Sequence, residues 1–132
     1  MKEHPEIKVL VGHILRYNKT YQRAAEMIQA GAIGKPVIFR MVQNHHTMDW
    51  ERYLSMLREV SPLLDCGVHY ADIIQWFTGA KVIDIQATGV RSEKDVPAGN
   101  YNYGLVTMRM SDGSVGYYEA GYSNTLSAQN VK

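Results

Sequence analysis

Between Ser61 and Gly79 the apolar residues Leu63, Leu64, Val68, Ile73, Trp76 and Phe77 recur at three- and four-residue steps, the period of a helix facing a core. Ser61 is a good N-cap, Pro62 suits the first helical position, and Gly79 can take the left-handed conformation that ends a helix. The pattern predicts a helix over about 62 to 78. A second helix starts at Asn18 or Thr20, turns Tyr21, Ala24, Ala25 and Ile28 inward, runs through about Ala30, and is stopped by Gly31 and Gly34.

Elsewhere the period changes to two. From Lys35 to His46, Val37, Phe39, Met41 and Gln43 alternate with Ile38, Arg40, Val42 and Asn44, which predicts a central strand with one mixed face. Three more strands are expected over residues 81–90, 103–110 and 114–122, the last two joined at Asp112-Gly113, a strong hairpin signal. Residues 91–99 are polar, contain Pro97 and Gly99, and read as a loop. Residues 47–60 mix aromatics, methionines and charges without a clean period; a loop with a helical turn is expected there, its Trp50 and Tyr53 lining a site or packing on a neighbouring subunit. Ile7 to Ile14 is rich in β-formers.

These elements make an α+β domain over residues 7–122: a mostly antiparallel sheet of four or more strands with two helices on one face. Residues 1–6 read as a tail or the remnant of a preceding helix, and residues 123–132 as a polar tail cut before the sheet closes. Val106, Met108 and Met110 alternate with Leu105, Thr107 and Arg109, and Tyr117, Tyr118 and Tyr122 follow. So much apolar and aromatic surface predicts that the open face associates with a second copy, making a homo-oligomer.

Composition narrows the function classes. The 132 residues are 45% apolar and 20% charged, ordinary for one globular domain. A net charge of +1 with scattered Lys and Arg points away from nucleic acid and anionic membranes. Cys66 is the single cysteine, so a disulfide framework is excluded and a reducing, cytoplasmic setting is expected. No apolar run approaches the roughly 20 residues that span a bilayer.

Chemistry concentrates on the first helix described. Asp65, His69 and Asp72 lie at i, i+4 and i+7 and share a face. A carboxylate one turn from an imidazole can orient the ring, and a ring so held can take a proton from a substrate hydroxyl. The plainer alternative is a solvated surface pair. Gly67, costly inside a helix, marks a place where another backbone or a ligand comes close. Asn44-His45-His46 suggests metal, and a hydrolase using Asp65, His69 and His45 is one rival reading; adjacent strand histidines point to opposite faces, however, so no metal site is assigned. A stand-alone binding or assembly module is the other rival.

The stretch Leu-Leu-Asp65-Cys-Gly-Val-His69-Tyr-Ala-Asp72-Ile-Ile-Gln-Trp76 closely resembles the Asp-x-Gly-x-His-x-x-Asp-x-x-x-Trp pattern of the Gfo/Idh/MocA oxidoreductases, the family of glucose-fructose oxidoreductase and inositol dehydrogenase. Upstream, Val11-Gly-His-Ile-Leu-Arg16-Tyr17-Asn followed by Gly31, Ile33-Gly34-Lys-Pro36 resembles the family's junction strand, Arg-Phe/Tyr turn and helix end, and the likeness extends over residues 7–122. The resemblance implies a C-terminal domain of the kind also found in dihydrodipicolinate reductase, preceded in the family by a Rossmann domain that binds NAD or NADP. Neither Gly-x-Gly-x-x-Gly nor the family's Glu-Lys-Pro occurs here, so the Rossmann domain is expected to be absent from these 132 residues, no cofactor is expected to bind them alone, and the isolated chain is expected to be inactive. It implies a parent dehydrogenase acting on a polyol, sugar or related secondary alcohol. His69 would be the general base and Asp65 would hold it or bond a neighbouring substrate hydroxyl; Arg16, Tyr17, His45 and Asn44 are the expected substrate contacts. The Ile7–Ile14 run would be the last strand of the Rossmann sheet.

Overall fold

A computed structural model describes His4 and residues 6–124. The long helix, α3, spans Pro62–Thr78 and is closed at both ends by local chemistry. The Ser61 hydroxyl accepts from the Leu64 N–H at 3.2 Å, and Gly79 sits at φ 68°, where its N–H returns to the Gln75 carbonyl. Helix α1 spans Lys19–Gln29, its first turn capped by the Asn18 side chain, which accepts from the Thr20 N–H at 2.9 Å.

Four strands follow the alternation of the sequence: β1 (Ile38–Thr47), β2 (Val82–Val90), β3 (Tyr103–Met110) and β4 (Val115–Asn124). Their order is β1-β4-β3-β2. β2 with β3 and β3 with β4 are antiparallel, whereas β1 pairs with β4 in parallel, Ile38 beside Val115 through Thr47 beside Asn124. The α+β, mostly antiparallel architecture expected from the sequence is therefore present. The β3–β4 connection turns at Gly113, φ 86°, where Asp112 Oδ1 accepts from the Ser114 N–H at 3.0 Å.

The helices lie on one face. On that side the sheet presents Met108 and Met110 from β3 and Tyr118, Ala120 and Tyr122 from β4, all buried against Cys66 and Ile74 of α3. α1 packs outside α3 through Tyr21 and Phe77, whose ring centroids are 6.3 Å apart. The reason for Gly67 is visible here: an added Cβ would stand 2.9 Å from the Tyr118 ring. The close neighbour is a side chain of β4, reached because α3 lies almost directly on the sheet.

Three expectations are corrected. Residues 50–57 form an eight-residue helix, α2 (Trp50–Leu57), rather than a loop with one turn. Its period is legible in retrospect, since Trp50, Tyr53, Leu54 and Leu57 fall at i, i+3, i+4 and i+7, and Asp49 caps it by accepting from the Arg52 N–H. The Ile7–Ile14 run forms no strand; residues 7–13 are irregular, Ile14–Tyr17 make a 3₁₀ turn, and Leu10 is 90% exposed. β-formers become a strand only when a neighbouring strand takes their hydrogen bonds, and none is within this sheet's reach. Finally, Val106, Met108, Met110, Tyr118 and Tyr122 face the helices; of the apolar residues expected on the open face, Leu105 and Tyr117 are there, joined by Ile38, Val42 and Val90. The tails expected at residues 1–6 and 123–132 lie largely outside the described residues, and Ser123 and Asn124 continue β4. Among the described residues no helix is long and apolar enough to cross a membrane.

Candidate functional site

Helical spacing puts Asp65, His69, Asp72 and Trp76 on one stripe of α3. The 3₁₀ turn lies against the lower half of that stripe. Arg16 Nε donates to Asp72 Oδ2 at 2.8 Å and Nη2 to Oδ1 at 2.7 Å, while its guanidinium stacks 5.6 Å above the Trp76 ring. His13 Nδ1 stands 3.8 Å from Asp72 Oδ1. Arg16 holds the Asp72 carboxyl below the usual carboxylate range, chiefly through these hydrogen bonds, with smaller help from His13 and from His69. Asp72 is thus a neutralised anchor, not a free carboxylate.

His69 is half-buried, and its Nδ1 is enclosed without a hydrogen-bond partner. The enclosed nitrogen cannot meet a ligand, which leaves Nε2 as the atom able to exchange a proton. Asp65 is exposed. No hydrogen bond joins it to His69 among the described residues; instead the Tyr122 hydroxyl donates to Asp65 Oδ2. The part of the expectation in which Asp65 holds the imidazole is therefore not what the geometry provides. The pair share a face, and among the described residues the other Asp65 oxygen has no hydrogen-bond partner.

His45 joins them from the end of β1. Its Nε2 lies 3.9 Å from Cys66 Sγ and 3.0 Å from Gln43 Nε2, and its ring packs 5.7 Å from that of Tyr122. Burial pushes the Cys66 thiol up, so it is a packed neutral group here and not a nucleophile. Asn44 goes the other way. It projects from the open face, where its Nδ2 donates to Tyr103 Oη at 2.8 Å and Glu119 Oε1 at 3.1 Å, so it is not brought to the Asp65–His69 stripe. The alternation that separates His45 from Asn44 also separates it from His46, which bonds Ser123 Oγ at 2.8 Å. Tyr17 is 75% exposed beside Arg16. Among the described residues no three His, Cys, Asp or Glu side chains are grouped to hold a metal ion.

A sequence model described as the GFO/IDH/MocA C-terminal domain matches residues 21–131. The chain belongs to this family. It is 22% identical over 130 residues to an inositol 2-dehydrogenase of Rubrobacter xylanophilus, covering 93% of this chain and 35% of that protein. It is 24% identical over 105 residues to inositol 2-dehydrogenase 4 of Saccharopolyspora erythraea, covering 80% and 30%. The chain spans about a third of the length of these curated relatives. Among solved structures, myo-inositol 2-dehydrogenase from Lactobacillus plantarum superposes with a TM-score of 0.78 at 24% identity, covering 93% of this chain and 38% of that one. Scyllo-inositol dehydrogenase from Lactobacillus casei, solved with NAD(H) and scyllo-inositol, superposes with a TM-score of 0.73 at 23% identity, covering 93% and 37%. At these identities the superpositions establish the fold.

Within this GFO/IDH/MocA domain, Asp65 and His69 share one stripe of α3, Arg16 is joined to that stripe through Asp72 and His45 borders Cys66, and two contacts that support the arrangement were not legible in the sequence. Tyr122 was grouped with the open face, although strict alternation from Tyr118 through Ala120 sends it to the helix side. The link from Arg16 to Asp72 spans 56 positions, and no local pattern announces it.

Proposed function

We propose that this chain is the substrate-side domain of an NAD(P)-dependent oxidoreductase acting on a polyol, sugar or related secondary alcohol. The hydride acceptor is held by a separate dinucleotide-binding domain, in keeping with the chain's span of about a third of its inositol dehydrogenase relatives. The observation that carries the reading is the stripe on α3, where His69 offers Nε2 beside a carboxylate, Asp65, whose other oxygen has no hydrogen bond among the described residues. Oxidation of a carbinol requires its oxygen to lose a proton. His69 takes that proton at Nε2, Asp65 accepts a hydrogen bond from a neighbouring hydroxyl, and His45 borders the same space. Arg16 fixes the lower end by anchoring Asp72, and Tyr17 stands exposed at its edge. Asn44 has no part in this, because it lies on the far face of the sheet.

The open sheet face supports a second element of the proposal, a homo-oligomer. Ile38 and Val42 of β1 are 71% and 47% exposed there, alongside Val90 of β2, which fits contact with a second copy. The enzymatic reading is tested by assaying the full-length gene product for reduction of NAD or NADP with a panel of cyclic and open-chain polyols, inositols first. Turnover of at least one, abolished by His69→Ala, is expected; no turnover of any polyol or sugar with either nucleotide refutes it.

A further inference from the structure

An exposed aspartate in the first turn of a helix is free to sample several rotamers unless something restrains it. Asp65 is restrained from the sheet. Tyr122, near the end of β4, donates its hydroxyl to Asp65 Oδ2. Tyr122 is itself immobilised. Its N–H donates to the Asn102 carbonyl at 2.8 Å, and its own carbonyl accepts from Asn102 Nδ2 at 2.8 Å. Asn102 is fully buried and fixed in turn by the Ser92 N–H, which donates to Asn102 Oδ1 at 2.8 Å. The Tyr122 ring is 1% exposed and meets Tyr53 of α2 edge-on, at 4.7 Å and 75°, and His45 at 5.7 Å and 73°.

From these contacts we infer that Tyr122 is the positioning residue for Asp65, occupying Oδ2 so that Oδ1 is presented to a substrate hydroxyl. The inference rests on the reading of Asp65 as a substrate-contacting carboxylate, and it adds the residue that sets its orientation. The groups facing Asp65 are Tyr122 from β4, Cys66 Sγ at 3.9 Å from Oδ2, and His69 one turn along α3; His45 of β1 reaches Cys66. Burial, and then the bond to Asp65, pushes the Tyr122 hydroxyl far above its ordinary range, so it remains a donor throughout the working pH range.

The test is Tyr122→Phe in the full-length gene product, a change that keeps the ring between Tyr53 and His45 and removes only the hydroxyl. The expected result is a kcat about tenfold lower, the order of a hydrogen bond to a charged group, with the KM for nucleotide within about twofold of wild type. A purely structural role would lower thermal stability and leave kcat of the folded enzyme within about twofold of wild type. Asp65→Asn separates the two levels. If Asp65→Asn is as active as wild type, the reading of Asp65 fails and takes the inference with it; if Asp65→Asn is impaired while Tyr122→Phe matches wild type in kcat, the inference alone fails. Should Tyr122→Phe not fold, the hydroxyl proton of Tyr122 decides: a slowly exchanging downfield NMR signal in the wild type that is lost in Asp65→Asn is expected, and no such signal in the wild type overturns the inference.

Discussion

The Arg16 guanidinium closes on the Asp72 carboxylate as a two-pronged fork, with N···O distances of 2.8 and 2.7 Å, and so fastens the 3₁₀ turn to the polar stripe of α3. Because Asp72 is held below the ordinary carboxylate range in the folded state, the pair contributes stability above the unfolded value of about 3.9 and loses it as pH falls through the lowered folded value. Arg16 is 43% exposed, so solvent discounts the contribution to about 1 kcal/mol. Arg16→Ala is expected to lower stability by that amount near neutrality, and urea titrations should show the difference from wild type shrinking toward zero below about pH 4. A difference that stays constant to low pH would mean that Arg16 acts by packing on Trp76 instead.

Close approach of α3 to the sheet makes Gly67 a sensitive position. Gly67→Ala gains about 1 kcal/mol of helix propensity but forces a Cβ to within 2.9 Å of the Tyr118 ring, and the net expectation is a loss of about 1–2 kcal/mol. In a Tyr118→Val background the obstacle is gone, so the same substitution should become neutral or stabilising. Denaturant midpoints for the four proteins of this cycle measure the coupling directly.

How much of this was legible in the sequence follows from how local each signal is. The boundaries of α3 are written in Ser61, Pro62 and Gly79, which act within one turn of themselves. Strand faces are written in alternation, and His45 and Asn44 part company for that reason alone. What was not legible depends on partners distant in the chain. The parallel pairing of β1 with β4 joins Ile38 to Val115, and the exposed apolar run from Ile7 carries strand-forming residues with no pairing partner here. The α2 helix is a different case, since its cap and period were present and were masked by the mixture of Met, Trp and charge. Tyr122 fell between the two: its face followed from alternation, but its hydroxyl meeting Asp65 is a tertiary fact.

The opposite faces of His45 and Asn44 yield a paired prediction for the full-length gene product. Asn44→Ala should leave the KM for polyol within about twofold of wild type, because its hydrogen bonds go to Tyr103 and Glu119 across the sheet. His45→Ala removes a ring that packs on Tyr122 and Tyr53 beside the proposed substrate space, and it should raise KM or lower kcat by tenfold or more. The reverse pattern would place the substrate on the open face.

On that open face, Val42→Glu introduces a charge where the proposed subunit contact is apolar. A buried unpaired charge is costly enough to disfavour assembly. Sedimentation should show the variant shifted toward monomer at a concentration where the wild type is associated, with the far-ultraviolet circular dichroism unchanged. An unaltered sedimentation profile would remove this face from the interface.

The central claim is that His69 exchanges the substrate proton, and the most direct measurement is the steady-state kinetics of His69→Ala in the full-length gene product, with nucleotide binding measured alongside. A kcat lower by about 100-fold or more with nucleotide affinity preserved is the predicted result. A change of less than about threefold would contradict it, and the stripe of Asp65, His69 and Asp72 would then be a structural seam between the 3₁₀ turn and the sheet.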